Sequence, residues 1–534
     1  MKHWSEQAPA TREELHFGDR RMRCFAERPG GLHAMFAEAV ARNPEGEALV
    51  FGERRWTWRE LDRQVARCAA GLRARGIVPG DRVALLLGNR DEFVVALYAI
   101  ARLGAIAVPL NIREQKPELG FVLAHSGAAL LIFEADLAER LPEPEAIPAL
   151  RLRIAVGLCD GAEPFTDLLG AEELQEAAPE AEEDVAAILF TSGTTGRPKG
   201  AMLTHLGIVH SALHFQSAMG LSEADRALVA VPLTHVTGTI ALTVAMARCA
   251  GTLVVMPSFK AADFLALMER ERISYTLIVP AMYNLCLLQP DLGRYDLSAW
   301  RIGGFGGAPM PLPTIQRFAQ LVPRLKLMNA YGATETTSPT TLMPPQYTAA
   351  HVASVGLVVA CGEVKVVGTD GQPVPAGESG ELWIKGPMVV KGYWQDPAAT
   401  AREISDGYWH SGDIGSVDRD GFVHVFDRKK DMINRGGYKI FTAEVESVLS
   451  AHPGVIEAAV VSKPCPVLGE RVHAFVAVKA ETVSAKELQG FCAERLSDYK
   501  VPESYTVQTA PLPRNASGKL LKHVLRNSLR AAVT

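Results

Sequence analysis

The run Leu189-Phe190-Thr191-Ser192-Gly193-Thr194-Thr195-Gly196-Arg197-Pro198-Lys199-Gly200 gathers three glycines, three threonines, one serine and two cations. Glycines let backbone N–H groups approach an anion closely, and hydroxyls and cations add donors. This is phosphate-holding chemistry. Charge-assisted hydrogen bonds contribute about 1.5–3 kcal/mol each, against about 0.3–1 kcal/mol from a helix dipole at the loop's end. The Thr, Ser and Lys donors should therefore dominate. The loop lacks the Gly-Lys-Ser/Thr ending of a Walker P-loop. The chain also carries no Gly-x-Ser-x-Gly elbow and no His-Glu-x-x-His site.

Further segments offer matching chemistry. Tyr331-Gly332-Ala333-Thr334-Glu335 places a flat aromatic beside a hydroxyl and a carboxylate. Ser411-Gly412-Asp413 presents a carboxylate at an expected turn, suited to ribose hydroxyls. Asp427-Arg428-Lys429-Lys430-Asp431 is a charged segment, and Pro513-Arg514-Asn515-Ala516-Ser517-Gly518-Lys519 sets one lysine on a glycine-hinged loop. His210 and His214 stand four apart at a metal-ligand spacing, but no third ligand is evident, which favours structural histidines.

The elements that must position these groups follow from periodicity. The apolar run at residues 185–190 reads as a buried strand, and a helical pattern is expected from about Ala201. Between residues 32 and 360, helix-period segments (57–75, 261–272) alternate with β-branched runs (82–87, 227–231, 252–256, 275–279), which argues layered α/β with largely parallel strands. Residues 171–184, acidic and alanine-rich, read as a surface connection. Beyond Cys361, short strands with Asp370-Gly371 and Pro375-Ala376-Gly377 turns indicate a small β-rich subdomain. Strand, helix, two strands and two helices after the charged segment indicate a separate α+β domain of ordinary size. The expected division is residues 1–427 and residues 428–534.

The net charge of −5 shows no basic bias, so nucleic acid is not an expected partner. Residues 1–17 have no apolar core of a signal peptide, and the apolar stretch 93–110 is broken by Arg102 and Gly104, so it reads as buried helix and strand rather than a membrane span. Eight cysteines without a C-x-x-C pair suit reduced thiols in a soluble, cytoplasmic protein. Oligomeric state is not readable.

Taken in this order, the motifs resemble the adenylate-forming superfamily: acyl-CoA synthetases, adenylation domains and luciferases. The resemblance covers nearly the whole chain. It implies a ligase that activates a carboxylic acid with Mg2+ and ATP as acyl-AMP plus pyrophosphate, then passes the acyl group to coenzyme A. Thr191, Ser192, Gly193, Thr194, Thr195, Gly196 and Lys199 would shield the β- and γ-phosphates. Tyr331 and Gly332, with the turn Gly306-Gly307-Ala308-Pro309, would line the adenine pocket. Thr334 would touch the α-phosphate and Glu335 would hold magnesium, a hard cation preferring oxygen ligands. Asp413 and Arg428 would grip ribose, Lys430 would be the hinge, and Lys519 would bridge carboxylate and α-phosphate. Arg435, Gly436 and Gly437 would face coenzyme A.

Pro232-Leu233-Thr234-His235 resembles the family's acyl-pocket segment, with His235 beside the reacting carboxylate. Val236-Thr237-Gly238-Thr239 follows with no acid to hold an ammonium, which argues for a fatty or aryl acid over an amino acid. Gly304 and Ala333 suggest room for a chain or ring. Two departures fall near the expected coenzyme A side: Cys465 stands where relatives commonly carry Asp, and Thr442 where Pro is common. An enzyme that stops at acyl-AMP or loads a carrier-protein thiol would share most of these motifs. A P-loop phosphotransferase, yielding ADP, is disfavoured by the missing Walker ending.

Overall fold

Alternating apolar runs and helix-period segments produce a mixed α/β protein. The computed structural model describes residues 4, 8–170, 172–191, 197–479, 483–514 and 520–531. Its chain falls into two compact units. One comprises Met1–Lys365, Trp383–His410 and Asp418–Val423; the other comprises Val366–Leu382, Ser411–Val417 and His424–Thr534.

The first unit contains two large sheets and a small antiparallel pair, Thr11–His16 with Arg20–Phe25. In one, the strands Arg82–Leu86, Ile106–Pro109, Leu130–Glu134 and Leu152–Val156 run parallel, as expected for buried Val/Ile/Leu-rich runs. Val185–Thr191 joins them beside Ile106–Pro109, and Lys199–Thr204 pairs antiparallel on its outer edge. The second sheet orders Gly356–Val358, Thr341–Leu342, Lys326–Tyr331, Ile302–Phe305, Tyr275–Ile278, Arg226–Val229, Thr252–Val255, Glu47–Phe51 and Arg54–Thr57. Its central strands, from Lys326–Tyr331 to Glu47–Phe51, are parallel. Amphipathic helices cover these sheets. Trp58–Ala74, for instance, buries Leu61, Val65, Cys68 and Leu72 and begins at a capping box between Thr57 and Glu60.

The helix expected from about Ala201 is corrected. Residues 199–204 form a strand, and the helix begins at His205, with the Thr204 hydroxyl accepting from the Gly207 N–H at 3.2 Å. Antiparallel pairing of 199–204 with Val185–Thr191, which buries Gly200, Ala201, Leu203 and Thr204, outweighs local helix preference. The segment expected to hold phosphate thus leads into a strand antiparallel to Val185–Thr191, and the first described helix after it begins only at His205. Residues 172–184 are irregular, yet they do more than connect. The Glu180 carboxylate accepts the His33 and Ala34 N–H groups at 2.8 and 2.9 Å, capping the helix Leu32–Arg42.

In the second unit a five-stranded sheet carries the C-terminal core. Val455–Cys465 and Gly469–Val478 pair antiparallel, and Ser504–Gln508 adds parallel to the latter. Side chains alternate between two buried clusters: Val460, Ala474 and Val476 pack with Val445, Leu449 and Leu488, while Ala459, Val461 and Phe475 pack with Leu512 and Leu525. Helices therefore cover both faces, which explains the nearly continuous apolar run at 474–478. Among the described residues no helix is long and apolar enough to cross a membrane.

Candidate active site

In the first unit the candidate groups gather at the mouth of the hairpin and at the C-terminal ends of parallel strands, where open α/β sheets bind ligands. Thr191 and Lys199 face each other as the last cross-strand pair before the loop. The Thr191 hydroxyl lies 3.2 Å from Glu335 Oε1. Glu335 sits buried in the short 3-10 turn Thr334–Thr336, directly after the strand Lys326–Tyr331. The Thr336 hydroxyl ties that turn down, accepting from the Ala333 N–H at 3.0 Å and donating to the Ala333 carbonyl. Thr337 and Ser338 follow with φ of +48° and +41°, a left-handed pair of non-glycine residues of the strained kind that clusters at functional sites.

The turn Gly306-Gly307-Ala308-Pro309 leaves the neighbouring strand Ile302–Phe305 at the same end of the sheet. Gly307 has a φ of +76°, open to glycine with little strain, and a Cβ on Gly306 would stand 2.4 Å from the Ala330 carbonyl oxygen. Gly304 does not make room for a substrate. It is buried in its strand, where a Cβ would meet Leu277 at 3.0 Å and the Thr276 carbonyl at 3.2 Å, so its smallness serves strand packing. Tyr331 and Gly332 flank the Glu335 turn, with the Tyr331 carbonyl accepting from the Thr340 N–H at 2.8 Å.

Lys199 has an unexpected partner. Its ammonium lies 2.7 and 2.6 Å from the two oxygens of Glu403 and 4.4 Å above the Tyr393 ring. Edge pairing explains the meeting: the segment at 391–394 lies along the outer strand, with Met202 N–H donating to Gly392 and Trp394 N–H donating to Gly200. The helix Pro397–Glu403, capped by Asp396, then brings Glu403 back. The Tyr393 hydroxyl sits 2.8 Å from Glu403 Oε2 and 3.3 Å from Glu335 Oε1. Burial first, and then these two carboxylates, push the phenol well above its usual range, so it stays neutral. Burial works against Glu403 ionising, but hydrogen bonds from Lys199, Tyr393 and Arg402 outweigh it and hold the carboxyl below its usual range. A phenol has one proton. The shorter contact gives it to Glu403, which leaves Glu335 Oε1 with acceptor capacity for a hard cation.

His235 follows the strand Arg226–Val229, on a segment held by buried polar groups. Asn89 accepts from the Leu233 N–H at 2.8 Å and donates to the Val231 and Met256 carbonyls at 2.9 and 3.0 Å. Gly238 is required there, since a Cβ would lie 2.3 Å from the Pro232 carbonyl oxygen. A π-helix, Thr237–Val244, begins next, an element frequent at functional sites. Enclosure by protein lowers the His235 pKa, and its Nε2 stands 3.5 Å from the Asn111 amide.

In the second unit Arg428 Nε lies 2.8 Å from Asp413 Oδ1, and Arg428 Nη1 donates to the Ser411 carbonyl at 3.1 Å. The expected turn at Asp413 is corrected: the residue lies inside the ten-residue strand Tyr408–Val417, where Gly412 supplies a kink at a φ of +67°. Lys430 stands in an exposed turn after the strand Phe422–Arg428. Gly436 and Gly437, at φ +59° and +94°, form the two-residue turn between Ile433–Arg435 and Tyr438–Ile440, as the favoured hairpin geometry requires. Arg435 pairs with Glu503 at 2.6 Å. Thr442 earns its place where Pro would fail: its N–H and its hydroxyl both donate to Asp427, and its oxygen accepts from Lys522 at 2.7 Å. The Cys465 sulfur accepts from the Leu468 N–H at 3.4 Å and from Arg471 Nε at 3.2 Å.

Ser192, Gly193, Thr194, Thr195, Gly196 and Lys519 lie outside the described residues. Sequence reasoning missed Tyr393, Glu403, Asn89 and Asn111, which carry no motif of their own. His210 and His214 are structural: His210 Nε2 accepts from the Phe25 N–H at 3.1 Å and His214 Nε2 from the Cys361 N–H at 3.3 Å. A second cluster, Glu14, His16 and Cys24, brings possible metal-ligand atoms within 4.8 Å of one another. Arg28 grips both Glu14 oxygens at 2.9 and 2.6 Å, so this carboxylate already has its cation.

Residues 36–394 match the family model of AMP-binding enzymes, and residues 444–519 match that of the AMP-binding enzyme C-terminal domain. The chain is 38% identical over 498 residues to feruloyl-CoA synthase of an Amycolatopsis species, covering 93% of this chain and 98% of that one. It is 35% identical to a long-chain-fatty-acid–CoA ligase of Mycobacterium tuberculosis, covering 90% and 94%. Its fold matches o-succinylbenzoate-CoA synthetase of Bacillus subtilis, solved with the acyl-adenylate intermediate, at a TM-score of 0.84 and 32% identity, covering 94% and 98%. The loop, the Glu335 turn and the two matched segments agree: the chain belongs to the AMP-binding enzymes, the adenylate-forming superfamily, and its relatives are acyl-CoA ligases.

Proposed function

We propose that this ATP-dependent, AMP-forming acid–thiol ligase activates a neutral-tailed fatty or aryl acid as its acyl-AMP and transfers the acyl group to coenzyme A. The observation that carries the reading is the convergence of Thr191, Lys199 and Glu335 at the hairpin mouth. Glu335 fits a hard divalent cation, being a buried carboxylate whose Oε1 meets, among the described residues, the hydroxyls of Thr191 and Tyr393. Magnesium bound there would neutralise phosphate charge. Thr334 would meet the α-phosphate, Tyr331, Gly332 and the Gly307-Ala308-Pro309 turn the adenine, and the Asp413–Arg428 pair the ribose. Neutral His235 would donate its ring N–H to the acid's carboxylate without adding charge. Attack of a carboxylate on a phosphate joins two anions, so a cation that meets the growing charge is needed; Lys519 is given that role.

The second half-reaction needs no protein nucleophile, because the coenzyme A thiolate attacks the adenylate directly. The Gly436-Gly437 turn lets a slender pantetheine arm pass close to backbone, beside Arg435. Residues 428–534 are assigned to a mobile C-terminal domain that turns about Lys430, alternating Lys519 with the Gly436-Gly437 face. The acid class rests on the Val236-Thr237-Gly238-Thr239 segment, which holds no carboxylate, and on relatives that act on feruloyl and long-chain fatty acyl groups.

Pyrophosphate release should be screened over acetate, medium- and long-chain fatty acids, benzoates, cinnamates and dicarboxylates, with coenzyme A present or absent. AMP release that depends on coenzyme A is expected; release only with a carrier protein would reassign the acceptor. Lys519→Ala is expected to slow adenylation by roughly 10²–10³-fold, as for loss of one key transition-state stabiliser. It should still consume preformed acyl-AMP. Equal loss of both half-reactions would overturn the two-pose assignment.

A further inference from the structure

The sequence places Lys199 among the expected phosphate-holding residues, yet in the structure its charge is taken up by Glu403. Both Glu403 oxygens lie within 2.7 Å of Nζ, and the Tyr393 ring sits beneath it. The pair is largely enclosed, with the lysine side chain 13% and the glutamate 21% exposed. Two anchors fix Glu403 in place: the Tyr393 hydroxyl at 2.8 Å and Arg402 at 2.9 Å. The carboxylate thus presents the lysine with two oxygens, as a phosphate would.

We propose that Glu403 is a positioning residue that competes with the triphosphate for Lys199: it parks the ammonium in the empty site, yields it to MgATP, and recaptures it as pyrophosphate leaves. The inference rests on the reading of Lys199 as a phosphate-holding residue. A largely enclosed ion pair is still weak enough to be exchanged, since the cost of taking both charges out of water offsets much of their attraction. The polyphosphate carries more charge than one carboxylate and wins while bound. Pyrophosphate must nevertheless depart, and a carboxylate already oriented at 2.6–2.7 Å lowers the cost of releasing the lysine from it. Tyr393 couples the two anionic sites. With its proton on Glu403, it leaves Glu335 open, so parking of the lysine and readiness for the cation go together.

The test measures the KM for MgATP and the Ki for pyrophosphate by ATP–pyrophosphate exchange. It compares Glu403→Gln, Lys199→Ala and the double variant, with the KM for the acid and the thermal midpoint as controls. For E403Q both constants are expected to fall about three- to tenfold, the equivalent of losing a competing ion pair of modest strength. The acid KM should hold, and the effect should vanish in the K199A background. A purely structural Glu403 would move the constants the other way, because a loosened site binds ATP more weakly. E403Q that leaves both constants unchanged or raises them, while K199A raises them, would overturn the competition and leave the phosphate role of Lys199 standing. K199A that changes neither constant would sink the reading of Lys199 itself. If E403Q does not fold, Glu403→Asp must show the same sign with a smaller amplitude, and no shift or a weaker affinity would equally overturn the proposal.

Discussion

At the scale of single residues, the site is a balance of charge among Lys199, Glu403, Tyr393 and Glu335 rather than a row of independent ligands. Glu335 Oε1 lies 3.2 Å from the Thr191 hydroxyl and 3.3 Å from the Tyr393 hydroxyl, whose proton is directed to Glu403. Glu335→Gln keeps the size and the hydrogen-bond acceptor but removes the charge. Adenylation should drop by roughly 10²–10³-fold, on the scale of removing one electrostatic stabiliser, and raising magnesium should recover only part of it. Exchange of labelled pyrophosphate into ATP measures this; wild-type exchange in E335Q would remove Glu335 from the metal site. The residue types of Thr191, Lys199 and Glu335 were readable from sequence because their motifs are dense in unusual chemistry. Glu403 was not, since an isolated glutamate on a short helix carries no local signal. Its role depends on a partner 204 positions away.

At the scale of elements, strand pairing decides what local pattern leaves open. The 199–204 segment has small and apolar residues compatible with either a helix or a strand. The neighbouring strand Val185–Thr191 on one side and residues 391–394 on the other settle it, by offering backbone partners on both edges. The segment before the π-helix shows the same dependence. Gly238 packs against the Pro232 carbonyl, and Asn89 closes the turn from another strand's loop. Gly238→Ala should therefore destabilise the protein by about 1–3 kcal/mol through overpacking, and displace His235. Denaturant unfolding reads the first effect. A raised KM for the acid, with the KM for MgATP held, reads the second; unchanged acid KM would detach this turn from the acyl side. Thr442 teaches a related lesson in the second unit, where a departure from the common Pro installs hydrogen bonds to Asp427 and Lys522 that a proline N could not donate.

At the scale of the whole molecule, enclosure sets the response to pH. Burial drives His33 down to about 4, His210 to about 3 and His473 to about 4. Their folded values lie below the usual 6.5, so between pH 6.5 and about 4 the unfolded chain binds protons that the folded chain refuses. Stability must then fall on acidification through that window, by about 1.4 kcal/mol per pH unit for each such histidine, and be unaffected by them above it. Calorimetric melting from pH 7.5 to 5 tests the sign, and a midpoint that rises toward pH 5 would contradict the burial of these rings. The sequence by itself determined the phosphate chemistry, the order of the motifs and the identity of most helices and strands, because hydrophobic period and residue type are local properties of a chain. Tertiary structure alone decided that Lys199 pairs with Glu403, that residues 199–204 form a strand rather than a helix, and that Gly304 serves packing. Those outcomes depend on which distant backbones share a sheet edge, and no local period encodes that choice.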